Sequence, residues 1–235
     1  MSASCVRLKA LIRFQNCSEV QEVEARSLEL EDESYVARAT FDVVAIAASA
    51  GGLTALSDVL SALPTNFPAS IVVVQHLDPR HRSLMAEILD RRTKLKVKQA
   101  ADGETLEAGA VYIAPPNRHM LINRDATISL TQSELVHFVR PSADLLFESV
   151  AASFKERAIC VILTGTGRDG AKGVQAIKRM GGTVVAQDKT TSEFFGMPGA
   201  AIETGSVDFA LPLCEIASAL VTLVMKHEAE RTEGQ

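Results

Sequence analysis

Three apolar runs in this chain each lead to a side chain that can do chemistry. "DVVAIAAS" ends on Ser49, "SIVVVQH" on His76, and "AICVILTGTGRD" on Asp169. A hydroxyl, an imidazole and a carboxylate are the parts from which a nucleophile, a general base and an orienting acid are assembled. Ser49 is followed by Ala50, Gly51 and Gly52, then by a helical pattern. Small neighbours let the backbone turn sharply from strand to helix, and unpaired N–H groups at the helix start can stabilise an oxyanion. Only half of a G-x-S-x-G elbow is present, because Ala48 replaces its first glycine; a helix-capping serine is the plainer alternative. His76 reads equally as an ordinary histidine at a strand end, although an imidazole suits proton transfer near neutrality. Among its competitors, His81 included, His227 lies in the tail and His137 precedes a helix with no strand-tip setting. His119, in "APPNRHM", is a candidate for substrate contact.

The loop that carries Asp169 has a second reading. Gly165, Gly167 and Gly170 are spaced as G-x-G-x-x-G between a strand-like and a helix-like run, and Asp188 closes the next apolar run, "TVVAQD". That arrangement matches a dinucleotide-binding fingerprint and an oxidoreductase. Against it, Asp169 would sit beside the pyrophosphate, where two unit charges about 4 Å apart repel by roughly 4 kcal/mol near a surface. Such fingerprints also usually open the first strand–helix unit, and this one comes late. The residues favour a mount for a carboxylate, which on local sequence also reads as a cap for the helix starting near Gly170.

The elements that must position these residues follow from periodicity. "DVVAIAA" and "SIVVVQH" read as buried strands by length and β-branched content. "GGLTALSDVLSAL" places Leu53, Leu56, Val59, Leu60 and Leu63 on one helical face, and "RSLMAEILDR" forms a second helix. "AGAVYIAPP" and "HMLINRDATISLTQ" alternate at period two, predicting strands with a hairpin in place of another crossover. Pro141 predicts the first turn of a helix through "SADLLFESVAASF". The strand "AICVILT", a helix after Gly170, the strand "TVVAQ", a helix near "SEFFGMPGAAIE" and the final "LCEIASALVTLVMK" complete the series. The expected class is α/β: a doubly wound, mostly parallel sheet with helices on both faces and a β-hairpin insertion. Ligands of such sheets bind beyond the carboxyl ends of the strands, where Ser49, His76 and Asp169 stand.

Composition bounds the rest. The chain has 235 residues, 47% hydrophobic and 23% charged, with a net charge of −5. That is enough chain for one globular domain, and an acidic balance gives no general reason to expect nucleic acid as a partner. No apolar run approaches the roughly 20 residues of a membrane helix, and the N-terminus lacks a secretory core. Cys5, Cys17, Cys160 and Cys214 show no zinc spacing, so a reduced cytosolic protein is expected. Residues 1–40 contain neither Gly nor Pro and read as a weakly structured extension, residues 41–226 as the functional domain, and residues 227–235 as a flexible tail.

Six collinear stretches carry a family resemblance: "VVAIAASAGGLTAL", "VVVQHLDPRHRSLMAEILDR", "ADGETLEAGAVYIAPPNRHM", "RPSADLLFESVA", "VILTGTGRDGAKGV" and "GGTVVAQDKTTSEFFGMPGAAI". From about residue 42 to about residue 225 the chain resembles the catalytic domain of the chemotaxis protein-glutamate methylesterases. The resemblance implies a doubly wound α/β domain with Ser49 as nucleophile, His76 as base and Asp169 as acid. It implies that Ala50, Gly51 and Thr166 line the oxyanion and substrate site, and that no metal or organic cofactor takes part. It also implies the substrate, glutamate methyl esters on the cytoplasmic helices of chemoreceptors, with other signalling proteins as further partners; some members also deamidate receptor glutamines. Members commonly carry threonine where Ala50 stands and methionine where Thr166 stands. Typical members also carry an N-terminal receiver domain, for which residues 1–40 are too short; a stand-alone esterase domain is expected, without phosphorylation control in the same chain. A non-catalytic domain binding receptor helices through the same crevice is the remaining alternative.

Overall fold

Runs of β-branched residues bounded by small or polar ones form the strands, and leucine-rich amphipathic runs form the helices between them. A computed structural model describes residues 42–76 and 83–225 of the chain. The expected extension over 1–40 and tail over 227–235, with His81 and His227, lie outside the described residues. The described residues fall within a single unit spanning 39–235.

In chain order the elements are β1 (Val43–Ala48), α1 (Gly52–Ser61), β2 (Ser70–Gln75), α2 (Met85–Asp90), β3 (Lys96–Gln99), β4 (Ala110–Ile113), β5 (His119–Ile122), β6 (Ile128–Thr131), α3 (Ala143–Phe154), β7 (Ala158–Ile162), α4 (Ala171–Arg179), β8 (Thr183–Gln187), α5 (Gly196–Glu203), β9 (Phe209–Leu211) and α6 (Leu213–Met225). Seven strands form one sheet in the order β3-β4-β2-β1-β7-β8-β9, with every neighbouring pair parallel. The doubly wound class expected from the sequence is the class observed.

Alternation along the central strands divides the core. Val43, Ala45 and Ala47 of β1, with Val72 and Val74 of β2, share a cluster with Leu146, Phe147 and Val150 of α3. Val44, Ile46, Ile71 and Val73 have the opposite parity, so they face the other side of the sheet; they too are fully buried. Strands buried on both faces explain why β1, β2 and β7 read as nearly continuous apolar runs. Each fully buried Val, Leu, Ile or Phe in such a core stabilises by about 1.5–3 kcal/mol.

Three local expectations are corrected. "AGAVYI" belongs to the main sheet, where β4 pairs in parallel with both β2 and β3; only β5 and β6 form the antiparallel hairpin. The edge strands β3 and β9 were not anticipated, because four residues reading Lys-Val-Lys-Gln and three reading Phe-Ala-Leu carry too little pattern. The helix expected from Pro141 starts at Ala143, with Ser142 in extended conformation as its N-cap.

Candidate active site

The sheet order reverses next to β1: β2, β3 and β4 fill one side, with β4 inserted between β2 and β3, and the chain then crosses to β7 on the other side. A doubly wound sheet opens a crevice at such a switch point, beyond the strand ends. Ser49 follows β1, His76 follows β2, and Asp169 lies in the loop after β7. In the parallel register Ala48 faces Gln75, so Ser49 and His76 are the next neighbours on strands about 4.8 Å apart. Both share the parity of Ala47 and Val74, which face α3. Ser49 and His76 therefore emerge on the α3 side of the sheet.

Asp169 is on that side too. Its Oδ2 accepts a hydrogen bond from His76 Nε2 at 2.8 Å and from the Ala143 N–H at 2.6 Å. Its Oδ1 accepts from the Ser142 hydroxyl at 2.8 Å and from the Asp144 N–H at 3.1 Å. The first N–H groups of a helix lack partners within it, and the positive end of the helix dipole favours a carboxylate there. Asp169 thus caps α3, from far away in sequence. The expectation that it caps α4 is corrected: Gly170 occupies that position, with no side-chain cap. Burial pushes the Asp169 carboxyl up, but the hydrogen bonds from His76, Ala143 and Asp144 outweigh it and hold the group below its ordinary value. An ionised Asp169 fixes the proton of a neutral His76 on Nε2, leaving Nδ1 as the basic nitrogen.

The turn after β1 is tied down by polar groups. The Gln75 amide donates to the carbonyl oxygens of Ser49 at 2.7 Å and His76 at 3.1 Å. The Ser49 N–H donates to Thr164 O, and the Thr164 hydroxyl donates to Ala50 O. Gly51 adopts φ 75°, which lets the chain turn directly into α1 at no steric cost. Among the described residues the Ser49 hydroxyl has no hydrogen-bond partner, and the N–H groups of Ala50, Gly51 and Thr166 donate to no acceptor. Thr166 is exposed on the loop after β7.

His119 is placed differently from its expectation. It is fully buried; Nδ1 accepts from the Ser142 N–H at 3.1 Å and Nε2 donates to Glu134 O at 3.0 Å. Both ring nitrogens are used, so it offers nothing to a substrate and instead supports the residue that supports Asp169. Burial, with the nearby Arg140 charge, pushes its pKa below the ordinary histidine value, outweighing the Glu134 hydrogen bond and Asp169. His137 reaches Asp144 Oδ2 at 3.2 Å, while Asp144 Oδ1 accepts from the Gly173 N–H at 2.8 Å.

The dinucleotide fingerprint finds no support in the geometry. The Gly165 N–H is bonded to Phe194 O. Asp188 accepts from the Thr190 hydroxyl and from both the N–H and hydroxyl of Thr191, so it closes its own turn. Ser142, Asp144, Gln75 and Thr164 escaped the sequence reading. The only signals were a Ser-x-Asp at a helix start, "SAD", and single polar residues at the ends of apolar runs.

Fold and site together define a doubly wound α/β protein with a histidine–aspartate pair, its carboxylate buried, at the sheet's switch point. A model of the CheB methylesterase family matches residues 44–220, and the chain belongs to that family, whose members are hydrolases. A Leptospira interrogans relative is 41% identical over 191 residues, which cover 81% of this chain and 99% of that protein. A Moorella thermoacetica protein-glutamate methylesterase/protein-glutamine glutaminase is 46% identical over 80% of this chain but only 45% of its own length. This chain therefore spans about half of that relative. The crystal structure of the Thermotoga maritima CheB methylesterase catalytic domain superimposes with a TM-score of 0.76 at 42% identity, covering 78% of this chain and 99% of that one. None of the described helices is long and apolar enough to cross a membrane.

Proposed function

We propose that this chain hydrolyses methyl esters of glutamate side chains on chemoreceptors, with Ser49, His76 and Asp169 as its catalytic residues and residues 41–226 as its catalytic domain. The observation that carries the reading is the 2.8 Å bond between His76 and the buried Asp169, with Ser49 as the register neighbour of His76 on the same side of the sheet. Family membership supports the substrate class, and relatives named as methylesterase and glutaminase support a second use of the same site on receptor glutamines.

In this reading His76 Nδ1 takes the Ser49 proton as Oγ bonds to the ester carbonyl carbon. The resulting oxyanion is held by the unpaired N–H groups around Ala50, Gly51 and Thr166. The carbonyl re-forms, the bond to the methoxy oxygen breaks, and His76 returns the proton so that methanol leaves. Water then attacks the acyl-serine by the same route, releasing glutamate. Asp169 holds the imidazole in the required tautomer and stabilises its charged form. Receptor helices on the cytoplasmic side of the membrane would be the place of action.

The test is volatile methanol released from radiolabelled methylated receptors, with fluorophosphonate labelling in parallel. Wild type should release methanol and be labelled at Ser49; Ser49→Ala should lose about 10³-fold or more in turnover and all labelling. Undiminished turnover in Ser49→Ala excludes this nucleophile. Receptor binding by a wild type that releases no methanol supports a non-catalytic domain instead.

A further inference from the structure

Six large apolar side chains are exposed among the described residues: Leu84, Leu135, Phe138, Met180, Phe194 and Met225. Four of them stand on loops at the edge that carries Ser49, His76 and Asp169. Leu84 precedes α2, Leu135 and Phe138 precede α3, and Phe194 precedes α5. Met180 and Met225 end α4 and α6 at the opposite edge. Exposed apolar groups on the rim of such a crevice are candidates for contact with a partner.

Within this set Phe138 is held out at a cost in backbone conformation. Val136 and Val139 exchange both of their backbone hydrogen bonds, so His137 and Phe138 form a two-residue hairpin turn. Both have positive φ, 50° and 63°. That turn favours Asn-Gly, and a bulky aromatic in the left-handed region is an outlier. Phe138 is 95% exposed, so no packing within the described chain compensates for the strain. Strain of this kind persists where the surroundings fix it, and it clusters at functional sites.

The surroundings do fix it. The Arg140 guanidinium donates to Asn117 Oδ1 and to the carbonyls of Gln132 and Ser133. His119 donates to Glu134 O, and His137 is bonded to Asp144. His119 and Asp144 flank Ser142 in the structure that seats Asp169, so the turn is referenced rigidly to the catalytic carboxylate. Candidate ligand atoms of His137, Asp144 and Asp169 lie within 4.8 Å of one another.

We propose that Phe138 is a substrate-docking residue that seats the apolar stripe of an amphipathic receptor helix against the rim of the crevice. The inference rests on the esterase reading above and adds the residue by which the protein substrate is recognised. A glutamyl ester side chain is short, so a helix presenting it must lie across the mouth of the crevice. Such a helix is about 10–12 Å across with its side chains, wide enough to meet the rim loops while its ester reaches Ser49. A pre-ordered aromatic gives a large apolar contact at little conformational cost. Phe138 does not touch the reacting ester; it positions the substrate's backbone.

The test compares wild type, Phe138→Ala, Phe138→Gly and Phe138→Leu in three measurements: steady-state demethylation of receptors, the rate of fluorophosphonate labelling at Ser49, and thermal unfolding. Phe138→Ala and Phe138→Gly should raise KM for methylated receptor by about tenfold with labelling retained, and Phe138→Leu should recover most of the loss. Phe138→Gly should unfold at a temperature no lower than wild type, because it relieves the turn. An unchanged KM for receptor with normal labelling overturns the docking role alone. Loss of labelling together with a lower unfolding temperature in Phe138→Gly also overturns it, by showing that the residue serves the fold. A wild type that is never labelled at Ser49 overturns the esterase reading itself, and the docking role with it.

Discussion

The Ser142 hydroxyl donates to one oxygen of Asp169 at 2.8 Å while His76 occupies the other at the same distance. Ser142 is itself held by His119, whose ring accepts the Ser142 N–H. The acid that orients His76 therefore depends on a serine at the helix start and on a buried histidine behind it. Ser142→Ala removes one of four donors to a buried charge. The variant should lose about 1.5 kcal/mol of stability in urea unfolding and several-fold in ester turnover, with KM little changed. Unaltered turnover would show that the three remaining donors suffice.

Asp169→Asn tests the acid and the cap together. An amide cannot stabilise a charged imidazole, so turnover should fall by about 10³-fold or more. Asp169 titrates below its ordinary value in the folded protein, so the unfolded chain binds this proton first on acidification. Its stabilisation is complete above about pH 4 and is lost as pH falls below that. Urea midpoints of wild type and Asp169→Asn should therefore converge as pH falls below about 4.

His119 adds a second acid-sensitive window. Its folded pKa is lowered, so below the ordinary histidine value of about 6.5 the unfolded chain takes up a proton that the folded protein resists. Stability should fall as pH drops from about 7 toward 5. Replacement by Gln, which can both donate and accept, lowers stability at pH 7.5 but should flatten the slope across that window. Equal slopes for His119→Gln and wild type would assign the acid sensitivity elsewhere.

Gly165 bears on Ser49 through close approach. A Cβ there would lie 2.5 Å from Met197 Sδ, 2.8 Å from Ser49 Cβ and 3.1 Å from Ser49 N. Gly165→Ala should cost about 1–3 kcal/mol through overpacking and displace Ser49, the proposed nucleophile. Adding Met197→Ala relieves the sulfur contact only. The double variant should regain stability relative to Gly165→Ala while its turnover stays low.

Much of this was legible in the linear chain. Apolar runs of β-branched residues alternating with leucine-rich helical patterns determined the α/β class, because burial on both faces and a 3.6-residue stripe are local demands. The residues at the strand ends followed from the same reading; the family came separately, from the resemblance of six collinear motifs. Short edge strands such as Lys96–Gln99 escaped it, since their pairing depends on β4 and hardly on their own side chains.

Tertiary structure alone decided what those side chains do. Asp169 looked like a cap for the helix that follows it, yet its carboxylate caps α3 and grips His76, because α3 packs where the chain returns after β7. His119 looked available to a substrate and proved to be a buried prop with both nitrogens bonded. Nothing in "ELVHFVR" announced that His137 and Phe138 would form a strained turn over the same cluster. Local periodicity is written in neighbouring residues; hydrogen-bond partners across tens of positions exist only once the sheet has fixed which segments meet.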